Sequence, residues 1–174
     1  MTKAIFLDRD GVINVEKNYL YKIDDFEFID GVFESLQKMQ KLGYKIFIIT
    51  NQSGIARGYY TENDFHKLTS WMVNEFKKHN IIISDVQYCP HGPKDNCLCR
   101  KPKTAMIDNI LKKYKIDLEN SWLVGDKNSD IQCAKNANIK NKIQVKSGHN
   151  FDESASEADF VCETIKEITN IILT

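Results

Sequence analysis

The stretch that most constrains this chain is the apolar run Ile5-Phe6-Leu7, which stops abruptly at Asp8, Arg9, Asp10 and Gly11. A run with no polar face reads as a strand buried on both sides, a requirement met almost only in a sheet covered by helices above and below. Its two acids are therefore delivered to a sheet edge, and Gly11 lets the backbone leave the strand by routes closed to other residues.

The pattern recurs downstream. Tyr44 to Ile49 is a second such run, ending at Thr50, Asn51, Gln52, Ser53 and Gly54. Ile81 to Cys89 contains a third strand, and Ser121 to Gly125 is a fourth that ends at Asp126, Lys127, Asn128, Ser129 and Asp130. Ile143 to Lys146 and Phe160 to Cys162 read as short final strands. Between them apolar residues fall at helical spacing: Val32, Leu36 and Met39, closed by Gly43, then Phe65, Leu68, Met72 and Phe76 behind a capping box at Thr61 and Asp64. Ile107, Ile110, Leu111 and Tyr114 follow Pro102, and a closing helix is expected over 163–173. Asp130 reads as a first-turn helix carboxylate rather than a metal ligand, because acids are favoured at helix N-termini.

This alternation predicts an α/β fold: a three-layer, Rossmann-like parallel sheet with helices on both faces. Ligands of such sheets bind beyond the carboxyl ends of the strands. Asp8 and Asp10, Thr50 and Asp126 all stand at predicted strand ends, with Lys101 entering a helix. The segment 14–30, with Glu16, Lys17, Asn18, Tyr19 and Tyr21, is a long loop of the kind that usually serves a site.

At 174 residues the chain is expected to form one domain over 1–174. About 40 residues separate Asp10 from Thr50 and about 50 separate Thr50 from Lys101, too few beyond the elements already placed there for a large cap domain. The site should therefore be open. Lysine plus arginine balance aspartate plus glutamate at 24 each, so no net field draws the protein to nucleic acid or a membrane surface, and neither is an expected partner. The start, Met1-Thr2-Lys3-Ala4, runs into the first strand without a signal-like segment, which implies the cytoplasm, and a monomer is expected.

Two carboxylates one residue apart at a strand end suit phosphoryl transfer. Asp8 would attack phosphorus as the nucleophile, and Asp10 would protonate the leaving oxygen and later deprotonate the hydrolytic water. Mg2+ suits an all-oxygen site and would be held by the Asp8 carboxylate, the Asp10 backbone carbonyl and Asp126, while Thr50 and Lys101 would neutralise the phosphoryl oxygens. Taken singly, a Thr at a strand end is a turn former and a Lys before Pro is a solvated charge. The ordered set is what points to chemistry.

Cys89, His91, Cys97 and Cys99 place three thiolates and an imidazole in a loop rich in turn formers, matching a closed, structural Zn2+ site. Its position just before Arg100 and Lys101 would let zinc fix those two cations at the mouth of the site. Cys133 and Cys162, the remaining two of five cysteines, stand singly and read as buried small apolar residues.

Asp8-Arg9-Asp10-Gly11-Val12, Thr50, Lys101 and the run Gly125 to Asp130 resemble, in order, the four motifs of the haloacid dehalogenase superfamily of phosphatases. More narrowly, Phe6 to Gly11, Thr50 to Gly58, Cys89-Pro90-His91, Cys97 to Pro102 and Val124 to Lys127 are similar to the D-glycero-D-manno-heptose-1,7-bisphosphate 7-phosphatase family, within a histidinol-phosphatase-like subfamily. The resemblance implies Mg2+-dependent removal of the C7 phosphate of a sugar bisphosphate through an aspartyl-phosphate, leaving heptose 1-phosphate for nucleotide-activated heptose biosynthesis. It also implies that Arg100 recognises the second phosphate. Arg9, Glu16, Lys17, Asn18, Tyr19, Asn51, Gln52, Ser53 and Lys127 would contact substrate.

Two other activities compete. Histidinol-phosphate phosphatases share the motifs and a zinc loop of this kind. A receiver-like phospho-signalling module also places acids, Thr and Lys on a parallel sheet, but its phosphoacceptor is expected on a later strand than its acidic pair, whereas here both acids lie on the first. A zinc-dependent nucleic-acid binder would need a basic stripe that the sequence lacks.

Overall fold

The structure is a computed structural model and describes residues 1–174. Six strands form one parallel sheet: β1 (Ala4–Leu7), β2 (Lys45–Asn51), β3 (Ile83–Cys89), β4 (Trp122–Gly125), β5 (Asn141–Val145) and β6 (Phe160–Cys162), in the order β3-β2-β1-β4-β5-β6. Five helices connect or close it: α1 (Val32–Lys41), α2 (Glu62–Lys78), α3 (Ala105–Lys113), α4 (Asn128–Asn136) and α5 (Ile168–Ile172). None is long and apolar enough to cross a membrane.

Side chains alternate across each strand, and each face meets its own core. Ile5 and Leu7 join Ile46, Ile48 and Val124 beneath α1, α2 and α5, where Val32, Leu36, Met39, Leu68, Met72, Phe76 and Ile168 are buried. Ala4 and Phe6 face the other way with Phe47, Ile49 and Leu123, against Met106, Ile107 and Ile110 of α3 and Cys133 and Ala134 of α4. This explains why β1 and the apolar run of β2 carry no polar face, and it fulfils the three-layer expectation. Burying one Phe or Ile side chain is worth about 1.5–3 kcal/mol, so the central strand is held from both sides.

The helix signals act as expected at α2: the Asp64 N–H donates to Thr61 Oγ1 at 3.0 Å and the Thr61 N–H to Asp64 Oδ2 at 2.9 Å. Some boundaries differ. β5 begins at Asn141 rather than Ile143, because the polar Asn141 and Lys142 pair with Trp122 and Leu123 of β4. Pro102 lies in the turn just before α3, as expected, with Thr104 at the N-cap position. The expected closing helix over 163–173 is instead a 3-10 turn at Ile165–Glu167 followed by the short α5. Thr164 explains the break, since its Oγ1 accepts from the Lys166 N–H at 3.1 Å and opens a tight turn before the α-helix starts.

The order of the strands reverses at β1: one crossover series runs outward through β2 and β3, the other through β4 to β6. Such a switch point leaves a crevice beyond the strand ends. The connections at that edge are mostly long, and the one after β1 folds back on itself through the Val15 N–H to Glu27 O and Ile29 N–H to Ile13 O hydrogen bonds, both 2.9 Å.

Candidate active site

The crevice between β1 and β4 holds an open pocket of about 190 Å3. Asp8 and Asp10 enter it from the end of β1, Lys101 from the turn before α3, Lys127 and Asp130 from the first turn of α4, and Glu16, Asn18 and Tyr19 from the loop over 14–30. Asn51, Gln52, Ser53 and Arg100 complete the expected lining.

Lys101 is the hub. Its Nζ lies 2.7 Å from Asp130 Oδ1, 3.0 Å from Asp8 Oδ1 and 2.9 Å from Ile49 O, with the side chain almost wholly buried. Burial alone would lower its pKa, but the Asp130 and Asp8 charges outweigh that and raise it, so Lys101 is a fixed cation. Asp8, Asp126 and Asp130 bring carboxylate oxygens within 4.8 Å of one another. Burial first, then the Asp130 charge, push Asp126 up to about 6. The same two causes raise Asp8 well above the usual carboxylate range, with Lys101 opposing them. Three acids and one lysine leave an excess of negative charge that a divalent cation would relieve.

One atom tests that fit. Asp126 Oδ2 accepts from both the backbone N–H and Nδ1 of His149, each at 2.8 Å, while Asp126 Oδ1 is buried with no partner. An orphaned buried carboxylate oxygen beside two other carboxylates is what a missing cation would leave. The loop carrying His149 can approach this closely because residue 148 is glycine: a Cβ there would lie 2.2 Å from Asp126 Oδ2.

Asp10 sits differently. Its Oδ1 accepts from Arg9 Nη2 at 2.9 Å and Asn14 Nδ2 at 3.0 Å, and its Oδ2 from Gln52 Nε2 at 3.2 Å. Burial pulls its pKa up, yet the Arg9 charge and these donors prevail and hold it below the usual carboxylate value. Without substrate, Asp10 is ionised at neutral pH.

Two expected substrate contacts do not reach the pocket, because each side chain is held elsewhere. Arg9, between Asp8 and Asp10, points to the opposite face and is buried, bonded to Asp10 and to Leu20 O at 3.1 Å. Lys17, between Glu16 and Asn18, turns outward to Asp25 O at 2.9 Å and Glu27 at 3.3 Å. Thr50 lies just beneath the lining, its Oγ1 accepting from Gln52 Nε2 at 2.8 Å. Asn51 lines the pocket but also clamps the Lys101 backbone, accepting from its N–H at 3.0 Å.

The sequence reading missed six residues. Asp130 caps α4 as expected, accepting from the Lys127 N–H at 3.1 Å, but its other oxygen binds Lys101. Its four-residue spacing from Asp126 was the available signal. Tyr60 and His149 also line the pocket with no local pattern to mark them, whereas Leu20, Arg57 and Ser129 fall within stretches already singled out.

In the cysteine loop, Cys89 Sγ lies 3.6 Å from Cys97 Sγ and 3.4 Å from His91 Nδ1, which is 3.2 Å from Cys99 Sγ. Bonds of about 2.3 Å to a tetrahedral zinc would set sulfurs about 3.7 Å apart, so these four side chains fit a single such ion. Burial pushes the Cys97 thiol up, but N–H donors from Arg100 and Cys99 and the neighbouring thiols bring it down to about 6, toward the thiolate a metal needs. The Arg100 N–H donates to Cys97 Sγ at 3.4 Å, which ties the loop to the pocket mouth. Cys133 and Cys162 are buried in the core, as expected.

A HAD-hydrolase-like family model matches residues 98–168. The D-glycero-alpha-D-manno-heptose-1,7-bisphosphate 7-phosphatase of Photorhabdus laumondii is 48% identical over 163 residues, covering 90% of this chain and 89% of its own. The chain belongs to the haloacid dehalogenase-like phosphatases. A second relative of this phosphatase, the D-glycero-beta-D-manno-heptose-1,7-bisphosphate 7-phosphatase of Pasteurella multocida, is 41% identical and covers 99% of this chain and 97% of its own. The crystal structure of D,D-heptose 1,7-bisphosphate phosphatase from B. bronchiseptica, complexed with magnesium and phosphate, superposes with a TM-score of 0.85 at 28% identity over 98% of each chain. This phosphatase is a phosphoric monoester hydrolase, and its pocket occupies the strand ends where its fold places ligands.

Proposed function

We propose that this phosphatase removes the C7 phosphate of D-glycero-α-D-manno-heptose 1,7-bisphosphate in a Mg2+-dependent reaction through an aspartyl-phosphate on Asp8, releasing the 1-phosphate. The observation that carries the mechanism is the buried junction of Asp8, Lys101, Asp126 and Asp130 at the β1/β4 crevice, with one Asp126 oxygen left without a partner. The sugar is inferred from the relatives, and the α anomer from the greater identity of the α-named one, 48% against 41%.

Asp8 attacks phosphorus with one carboxylate oxygen while Lys101 holds the other side of the group in place and neutralises phosphoryl charge. The bond from phosphorus to the C7 oxygen breaks, and that oxygen takes a proton from Asp10 Oδ2. Because free Asp10 is ionised, the proton must come in with the substrate, whose second phosphate ionisation lies near pH 6. Asp10, again a carboxylate, then takes a proton from the water that hydrolyses the aspartyl-phosphate. Thr50 donates its hydroxyl to a phosphoryl oxygen.

Mg2+ would be held by the Asp8 carboxylate, the Asp10 backbone carbonyl and Asp126, and would supply charge neutralisation for the phosphoryl oxygens. Zn2+ would be held by Cys89, His91, Cys97 and Cys99 and would order the loop that presents Arg100. Arg100 would bind the phosphate that is not cleaved, with Glu16, Asn18, Tyr19, Ser53 and Lys127 facing the sugar. The protein is read as a cytoplasmic monomer with residues 1–174 acting as one catalytic domain.

Steady-state rates with the α and β heptose 1,7-bisphosphates and with histidinol phosphate test the assignment. A higher kcat/KM for the α bisphosphate is expected, and a preference for histidinol phosphate would overturn it. Asp8→Asn should be inactive, and appreciable turnover by it would mean another nucleophile.

A further inference from the structure

Gln52 joins the two donors the proposed reaction relies on. Its Nε2 donates to Thr50 Oγ1 at 2.8 Å and to Asp10 Oδ2 at 3.2 Å. This arrangement requires the amide to face one way, N–H toward Asp10 and Thr50 and C=O away. An amide can sit in either orientation, and only its neighbours decide. The neighbour on the carbonyl side is Tyr60, whose hydroxyl donates to Gln52 Oε1 in a short contact between two buried side chains.

We propose that Tyr60 is a positioning residue for the phosphatase reaction, its hydroxyl locking the Gln52 amide so that N–H, never C=O, faces Asp10 and Thr50. The inference rests on the roles given above to Asp10 and Thr50. Its chemical content is one of direction. With Gln52 donating into a Thr50 lone pair, the Thr50 O–H cannot point at Gln52; it makes only a long 3.5 Å contact to Asn51 O, which a phosphoryl oxygen would replace. With Gln52 donating to Asp10 Oδ2, a proton carried on that oxygen is turned away from the amide and toward the leaving group. In the flipped orientation Oε1 would accept both protons and hold them back from the substrate.

Tyr60 is built for this task. Its ring stacks on Tyr21 at 5.4 Å and 13°, and residue 54 must be glycine to admit it, since a Cβ there would lie 2.2 Å from the ring. Burial raises the Tyr60 pKa to about 12, so the hydroxyl stays protonated and remains a donor throughout the working range. Tyr60→Phe keeps the ring and deletes only the donor. Gln52 Oε1 would then be buried without a partner, and once Asp10 takes up the proton the amide is free to flip and accept from both Asp10 and Thr50.

The test is a double-mutant cycle on kcat and KM with the heptose bisphosphate. Tyr60→Phe should lower kcat about tenfold with KM changed less than twofold, the size expected for one misdirected hydrogen bond. Gln52→Ala removes the trap together with the guide, so Tyr60→Phe added to it should change kcat less than twofold. Gln52→Glu keeps Tyr60 intact but presents an acceptor to Asp10 and Thr50, and should be at least as slow as Tyr60→Phe. An equal fall in both backgrounds, no fall at all, or an unimpaired Gln52→Glu enzyme would each overturn the proposal, and a Tyr60→Phe protein too unstable to assay leaves Gln52→Glu to decide it. Asp10→Asn separates this from failure of the underlying reading: if it retains full kcat, Asp10 is not the acid, whereas if it is inactive and the cycle is additive, only the role of Tyr60 falls.

Discussion

Replacing Lys101 by Met should show how much of the native site is held together by one buried cation. The substitution keeps the unbranched stem and removes three contacts, at 2.7 Å to Asp130, 3.0 Å to Asp8 and 2.9 Å to Ile49 O. Taking one partner from a buried ion pair costs about 3–5 kcal/mol because the other charge is left uncompensated. For a chain of this size each kcal/mol moves Tm by about 2–4 °C, so a fall of about 6–20 °C is expected at pH 7.5 in magnesium-free buffer. The pH dependence follows from the carboxylates. Asp126 and Asp8 have folded-state pKa values raised above the unfolded ones. Such groups contribute stability that is present below the unfolded value, near pH 4, and lost as pH rises through the folded value, about 6 for Asp126. Removing Lys101 raises them further, so the deficit should be largest at pH 7.5 and should shrink at pH 5, where the acids can take up protons. In the wild type Lys101 itself, with a raised pKa, contributes throughout this window and loses its share only in strong alkali. Differential scanning calorimetry of both proteins at the two pH values measures this. A deficit that is equal at pH 5 and 7.5, or below about 1 kcal/mol, would refute the view that Lys101 is the sole counter-charge of a buried acid cluster. The variant should also lose about 10²–10³ in kcat, as for removal of one donor to a developing anion.

Two further outcomes follow from the pocket mouth and its loop. Arg100→Ala should raise KM for the bisphosphate about tenfold or more while leaving KM for a simple monophosphate within about twofold, as one lost charge-assisted contact would give; equal effects on both would remove Arg100 from recognition of the second phosphate. Metal analysis should find one zinc per chain, and stripping it should raise KM for the bisphosphate more than it alters the Mg2+ concentration giving half-maximal rate, with an unchanged KM arguing against the loop's role in holding Arg100.

The fold was largely legible because its strands are buried on both faces. Ile5-Phe6-Leu7 and Tyr44 to Ile49 announce themselves by continuity, and α2 by Thr61 and Asp64. The end of the chain was not, because Ile165 and Ile168 keep helical spacing through a 3-10 turn. Among the expected substrate contacts, Arg9 and Lys17 fell outside the pocket because tertiary partners claim them, Asp10 and Leu20 O for Arg9, Asp25 O and Glu27 for Lys17, which the sequence does not record. Asp130 was undervalued because capping explained one of its oxygens and the sequence could not show that the second meets Lys101. Tyr60 and His149 owe their positions to loops brought in from β2 and β5, and nothing in their neighbours along the chain records that.

The place of β1 in the sheet also bears on how the protein is made. β1 leaves the ribosome first but pairs on one side with β4, which begins at Trp122. Until then the growing chain presents Ala4 to Leu7 as an open strand edge, with unpaired N–H and C=O groups that could template pairing with another nascent chain. Of the six strands β1 thus waits longest for a partner, and crowded polysomes are where this sequence is most exposed to misassembly.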